Sequence, residues 1–306
     1  MNNRLAKWLI SGPPLLYLIL FFAIPSAIMA FAAFRFPGDY GGLLPLVEVN
    51  PETGARTVLI NFGNYADFLT WENFQRFFEE PIYIELFLKS FWYAGITTVV
   101  CIVLAYPLAW LIARSSKKTR DLLVLMVILP FWSNFLIRVY AWMIILGPQS
   151  YFSQALNRVL AVFGIEPVSL LFSQFAVIIG LVYVHLPFMV LPLYANLEKH
   201  DMALLDAAQD LGANAWQRFW KVTWPLSLPG VWAGTALVFI PALGMFAIPD
   251  LLGGTNSMMI GNLIKQQFLD SRDWPFGSVL SIMLTLSVLL MAAIAAWAGS
   301  RGKAKQ

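Results

Sequence analysis

The chain has 306 residues, 59% of them hydrophobic and only 12% charged, with 20 Lys and Arg against 17 Asp and Glu for a net charge of +3. Charged residues make up about a quarter of an ordinary soluble protein, so a water-soluble fold is excluded, and the small net charge gives no support to nucleic-acid binding. The apolar residues arrive in long blocks that match a bilayer, which points to one membrane domain over residues 1–306.

About 20 apolar residues, at 1.5 Å of rise each, cross a ~30 Å hydrocarbon core, and six charge-poor runs reach that length. The fold expected is therefore all-α, a polytopic membrane protein of six transmembrane helices. The first run, Trp8 to Phe34, follows Arg4 and Lys7 as a signal peptide would. Its 27 uncharged residues exceed a signal h-region, and no clear small-residue cleavage site ends it, so it reads as a retained helix. A segment of about 50 residues follows, carrying Asp39, Glu48, Glu52, Asp67, Glu72, Glu79, Glu80 and Glu85 with aromatics Tyr65, Phe68, Trp71, Phe74, Phe77 and Phe78.

The second run, Ser90 to Ala113, holds the only cysteine, Cys101, which reads as a small buried hydrophobe with no disulfide or metal framework around it. The third, Leu122 to Gly147, is interrupted by Arg138. On a straight helix Arg138 stands about 25 Å from Asp121, in the outer part of the span. A charge inside a membrane is costly and suggests function, and Trp132, Asn134, Tyr140 and Trp142 surround it in sequence. The fourth run, Gln174 to Ala195, contains His185, which suits either a proton relay or a packing histidine satisfied locally.

Between the fourth run and the fifth lie 31 residues, Asn196 to Leu226, with a pattern of their own. Met202, Leu205, Ala208 and Leu211 recur every three residues along a short helix. Gly212 ends it as a residue able to take positive φ. A second helical segment, Ala215 to Val222, carries Trp216, Phe219 and Trp220 before Pro225 is expected to break the chain. Periodicity alone admits two uses for this pair: docking in another protein's groove, or resting as an interfacial hairpin on lipid.

The fifth run, Ser227 to Pro249, ends at Asp250, and the sixth covers Gly277 to Gly299. An Arg138–Asp250 ion pair acting as an outer gate is one reading; snorkelling of each side chain to the interface is the other. Pro13, Pro14, Pro25, Pro107, Pro130, Pro187, Pro192 and Pro241 interrupt the spans, which a helix bundle tolerates. Arg4, Lys7, Arg114, Lys117, Lys118, Arg120, Lys199, Arg218, Lys221, Arg301, Lys303 and Lys305 fall on one side, 12 of the 20 basic residues. That bias puts both termini in the cytoplasm and residues 35–87 in the periplasm.

The series Asp206, Ala207, Ala208, three residues, Gly212, nine residues, Val222, Thr223, Trp224, Pro225 resembles the EAA motif of ABC importer permeases, Glu-Ala-Ala, three residues, Gly, nine residues, Ile-x-Leu-Pro. Asp stands for Glu, Val for Ile and Trp for Leu, with every spacing kept. Leu129 to Gly147, Val182 to Asp201, Val238 to Gly254 and Met258 to Ser278 look like the first permease subunit of putrescine and spermidine importers, a resemblance that covers roughly Phe78 to Trp274.

The resemblance implies a type I importer: two different permeases, two copies of a cytoplasmic ATPase holding ATP and Mg, and a periplasmic binding protein. It places Asp206, Ala207, Ala208 and Gly212, with Pro225 closing the motif, at the contact with the ATPase. This chain itself is expected to bind no cofactor or metal, since it has no Walker-type loop and no His or Cys cluster. Residues 35–87 then read as a docking surface for the binding protein or as a cap on the bundle. For a dication, cation–π contact with Trp132, Tyr140 and Trp142 and pairing with Asp250 is the expected chemistry. Arg138 points instead to a carboxylate, so an amino-acid-like amine such as 4-aminobutyrate stays open, although the polyamine permeases also carry Arg here. An ion-coupled secondary transporter needs an acid deep in a span, where only Arg138 and His185 are ionisable. A membrane enzyme needs an acid, base and nucleophile set that the sequence lacks.

Overall fold

A computed structural model of the chain describes residues 3–45, 47–49, 56–58 and 69–303, with side chains at 11–45, 47 and 69–294. Glu52, Tyr65, Asp67, Phe68 and Lys305 lie outside the described residues. The elements in chain order are α1 (Asn3–Leu18), α2 (Ile24–Ala33), β1 (Val47–Val49), β2 (Arg56–Val58), α3 (Glu72–Glu79), α4 (Pro81–Arg114) and α5 (Lys117–Ile128). They continue with α6 (Phe135–Leu146), α7 (Tyr151–Val162), α8 (Gln174–Leu197), α9 (Ala203–Asp210), α10 (Ala215–Arg218), α11 (Trp224–Leu243), α12 (Ala247–Leu252), α13 (Ile260–Leu269) and α14 (Trp274–Lys303). Apart from the antiparallel β1–β2 pair, with Val47 opposite Val58, and two isolated bridges, the regular elements among the described residues are helices joined by turns and loops. Among the described residues five helices are long and apolar enough to cross a membrane, and six if the bent pair Lys117–Trp132 and Phe135–Val162 counts as one span.

Contacts divide the chain into two compact units, Met1–Glu85 with Leu263–Gln306, and Leu86–Asn262. In the first unit α14 packs on α2 and α3. The end of α2 is closed by buried Asn73, whose amide donates to the carbonyls of Ala33 at 3.1 Å and Arg35 at 2.9 Å, satisfying backbone acceptors that a helix end leaves free. Arg76 on α3 meets Asp273 at 2.9 Å and lies 4.1 Å over the Phe276 ring. The first span runs from α1 into α2 through a five-residue π turn, Ile19–Ala23, with Pro25 two residues beyond it.

In the second unit α8 is the frame. Cys101, Ala105 and Ala109 on α4, four residues apart, are fully buried in a cluster with Met189, Val190 and Leu193 of α8 and Val231 and Val238 of α11. Small residues let membrane helices approach closely, and α11 does so through Gly230 and Gly234. A Cβ at Gly230 would stand 2.7 Å from the Asn196 Cβ, and one at Gly234 2.5 Å from the Met189 Sδ. A second cluster joins Tyr93, Val139, Leu146, Val177, Leu181, Ile248, Leu252 and Met259.

Three expectations need correction. The third span is not one straight helix: α5 ends in a 3-10 turn, Leu129–Trp132, and Lys117–Trp132 lies at 92° to the stretch Phe135–Val162 that follows, α6 with α7. Pro130 has no N–H to carry the helix on, and Asn134 starts a new one by accepting from the Leu136 N–H at 2.8 Å. The depth assigned to Arg138 on a straight helix therefore does not apply. The fifth span stops at Leu243 and not at Pro249, because α12 is a separate short helix; the Asn262 amide donates to the Phe246 carbonyl at 2.9 Å, and a Cβ at Gly261 would come 2.6 Å from the Gly244 carbonyl oxygen. Pro225, finally, does not break the chain. The helix runs unbroken from Ala215 to Leu243 through a π turn at Phe219–Thr223, in which the Trp224 N–H reaches the Phe219 carbonyl and the proline follows at once.

Candidate functional site

The hairpin formed by α9 and α10 is built from local signals. Asp201 Oδ1 accepts from the Ala203 N–H at 3.0 Å and starts α9. At its end Gly212 takes φ +81°. The Ala213 N–H then bonds the Ala208 carbonyl at 3.0 Å and the Gly212 N–H the Gln209 carbonyl at 2.8 Å, the double closure of a Schellman turn. Asn214 and Gln217 exchange side-chain to backbone bonds of 2.8 and 3.0 Å as a capping box at the start of α10. Arg218 donates to Gln209 Oε1 at 2.5 Å and ties the two helices together.

The hairpin is anchored on one side only. Leu205 and Ala208 are half-buried, whereas Asp206 and Ala207 are exposed, as are Leu211 at 89% and Trp216 at 69%. The expected stripe thus splits: Leu205 and Ala208 are half-buried, Met202 is 45% exposed yet still lines the cleft behind α9, and Leu211 stands out at 89%. Behind α9 a cleft of about 410 Å³ is lined by Trp110, Met202, Leu205, Asp206, Ala215, Arg218, Phe219 and Thr223. Among the described residues the Asp206 carboxylate has no hydrogen-bond or ion-pair partner. A ladder of rings then joins the hairpin to the span: Trp216 to Trp220 at 5.6 Å, Trp220 to Trp224 at 5.6 Å, and Tyr106 of α4 to Phe219 at 5.3 Å.

Two contacts here were not anticipated. Arg120 of α5 meets Glu198 at 2.6 Å, and Arg114 at the end of α4 lies 4.4 Å over Trp110 and touches the Met202 sulfur. His200 bonds Asn196 Oδ1 at 3.2 Å; burial, reinforced by the Arg114 charge, holds its pKa below the usual histidine value. The Asn-x-x-Gln capping box was legible in the sequence, but nothing in the spacing pointed to pairs 78 or 88 residues apart.

The pathway candidates fall in several places. Trp132, Asn134 and Tyr140 are exposed around the bend between α5 and α6. Arg138 donates to the Pro130 carbonyl at 2.9 Å and lies 5.2 Å over the Phe131 ring. Trp142 is half-buried, edge-on to Tyr183 of α8 at 5.6 Å. Asp250 on α12 accepts from the Asn262 amide. Arg138 and Asp250 thus each have a partner of their own. His185 is fully buried, with Nδ1 on the Leu181 carbonyl at 2.8 Å, a local satisfaction of its ring.

Comparisons with known proteins agree with this arrangement. Residues 82–301 match the family described as "Binding-protein-dependent transport system inner membrane component". The chain is 47% identical over 229 residues to the spermidine/putrescine transport system permease protein PotB of Haemophilus influenzae, covering 74% of this chain and 78% of that one. It is 47% identical over 234 residues to PotB of Escherichia coli, covering 76% and 83%. It is 31% identical over 242 residues to the inner membrane ABC transporter permease protein YdcU of Escherichia coli, covering 74% of each. Among solved structures, a bacterial alginate ABC transporter in complex with a periplasmic protein includes a chain that superposes with a TM-score of 0.65 at 17% identity, over 95% of this chain and 93% of that one, which shows a shared fold. With a family match over most of its length and relatives at 47% identity, the chain belongs to the binding-protein-dependent transport system inner membrane components.

Proposed function

We propose that this chain is one permease subunit of an importer for a polyamine, putrescine or spermidine. It works with a second homologous permease, two copies of a cytoplasmic ATPase and a periplasmic binding protein that delivers the solute. ATP and Mg belong to the ATPase subunits; this chain holds no cofactor, carries no catalytic residue and supplies the path through the inner membrane. Both termini face the cytoplasm, by the distribution of Lys and Arg. Trp132, Asn134, Tyr140, Trp142 and Asp250 are the residues we assign to the path or its outer gate, with Arg138 at the bend beside them.

The observation that carries this reading is the α9–α10 hairpin, stabilised on its inner face and left open on its outer one. Ala207 and Leu211 stand exposed at a helix closed by a glycine turn, as does Asp206 at the edge of the cleft it helps to line, and an unbroken helix leads from the second helix of the hairpin into the span. A push on that face is transmitted along the backbone of α10 and α11, while the small side chain of Ala207 allows close approach. The 47% identity to relatives named for spermidine and putrescine supports the solute class.

Reconstitution of the complete assembly in liposomes tests it. Solute-dependent ATP hydrolysis is expected only when every partner is present. Gly212→Val forces a branched side chain into positive φ, a strain of about 1–2 kcal/mol; it and Asp206→Lys are expected to lower transport by about tenfold or more. Proton-driven transport by this chain alone overturns the reading. Calorimetry of the binding protein with putrescine, spermidine and 4-aminobutyrate decides the solute.

A further inference from the structure

The bend between α5 and α6 is held by more than a missing proline N–H. The Pro130 carbonyl accepts from the Ser133 N–H at 3.3 Å, the Ser133 hydroxyl at 2.8 Å and the Arg138 guanidinium at 2.9 Å. The serine donors come from within the turn. Arg138 alone reaches back from beyond it, eight residues on and already inside α6. Its guanidinium lies 5.2 Å over the Phe131 ring, and that ring in turn meets Phe188 of α8 edge-on at 5.3 Å. Its Nε is buried without a partner, so this edge of the guanidinium faces protein and not solvent. A charged group in an apolar segment is costly, and a freed carbonyl in lipid is costly too; here each offsets the other.

We infer that Arg138 is a positioning residue that clamps the α5–α6 bend against α8. The third span then moves as a rigid elbow and not as a hinge, and Trp132 and Tyr140 keep fixed places on either side of the corner. Straightening the elbow means giving up a charge-assisted hydrogen bond and the cation–ring contact together. The elbow stands whatever the cargo; only the transport consequence rests on the permease reading.

The test is a distance across the corner, measured by pulsed electron paramagnetic resonance in the assembled importer in nanodiscs. Spin labels go on Leu125→Cys in α5 and Ile144→Cys in α6, both exposed, at 41% and 74%. One narrow distance is expected with Arg138 intact. Arg138→Gln should add a second, longer population and lower transport by about tenfold. Arg138→Lys keeps the charge but not the planar face on Phe131, and should give a smaller second population and a smaller loss. If Arg138→Gln does not assemble, Arg138→Lys and Phe131→Leu, which removes the ring and leaves the hydrogen bond, carry the same comparison. An unchanged narrow distance in the Arg138 variants that assemble overturns the inference, whatever happens to transport, and assigns Arg138 to the solute or gate. A broadened distance with normal transport overturns the positioning role. Failure of the parent importer to transport polyamine counts against the proposed solute and leaves the elbow to be judged on the distance alone.

Discussion

Pro130 and Pro225 interrupt helices of the same unit and are met in opposite ways. At Pro130 the helix is abandoned: a 3-10 turn, an asparagine cap and an arginine clamp build a corner. At Pro225 the helix is preserved, because a π turn absorbs the missing hydrogen bond, and no side chain caps its start. The first break is fixed by polar side chains that bridge it, and the second keeps a continuous helical backbone, flanked by the rings of Phe219, Trp220 and Trp224 and by the Ser227 hydroxyl on the Trp224 carbonyl. A proline therefore announces an irregularity, and its neighbours decide whether a corner or a continuous rod results.

The contrast can be broken most severely at the frame both breaks share. Phe131 leans on α8, and α11 lies against α8 through Gly234, where an added Cβ would come 2.5 Å from the Met189 sulfur. Gly234→Leu should cost about 3 kcal/mol or more by overpacking, read as a large fall in thermal stability in detergent. A next, smaller effect is expected from Pro225→Ala. With the N–H restored the π turn relaxes to α-helix and the α9–α10 hairpin changes its rotation about α11. ATP hydrolysis should continue while solute moved per ATP falls about tenfold; unchanged coupling would mean that the proline does not set the π turn.

Pro130→Ala sharpens the comparison from the other side. Asn134, Ser133 and Arg138 all remain, so the corner should persist and transport should change by less than about threefold. A straightened span in that variant would give the corner to the proline and not to the clamp. The smallest effect concerns His200, beside the start of the hairpin. Its pKa is lowered from 6.5 in the fold, so the unfolded chain takes up the proton more readily. Its contribution to stability is full above pH 6.5 and declines as pH falls below it. The fall in thermal stability between pH 7.5 and pH 5.5 should be slightly steeper in the parent than in His200→Asn.

Long charge-poor runs made most of the spans legible, and α8 and α14 lie where Gln174–Ala195 and Gly277–Gly299 placed them. The turn at Gly212 was also legible, since few residues other than glycine take positive φ there. The corner after Pro130 was missed because hydropathy does not change across it, even though a proline four residues before an asparagine is a stop and a start in local terms. α12 and α13 were missed for another reason. They are too short for periodicity to stand out, and what separates α12 from α11 is a contact between Gly261 and Gly244 that no local pattern reports. Of the site residues, the two short helices of the hairpin and the glycine between them could be read from spacing, whereas the use of that hairpin could not. The partners of Arg138 and Asp250 could not, since their distances depend on a bend and on a helix that the sequence did not reveal.

Cys101 is the only thiol in the chain, is fully buried in the α4 face, and points its sulfur at the Val182 carbonyl 3.8 Å away. Chemically, the protein is therefore blank to impermeant maleimides. A single cysteine introduced near either terminus, or on the outer face of α9, would report alone on which compartment it meets, with no background to subtract and no need to rebuild the packing around residue 101.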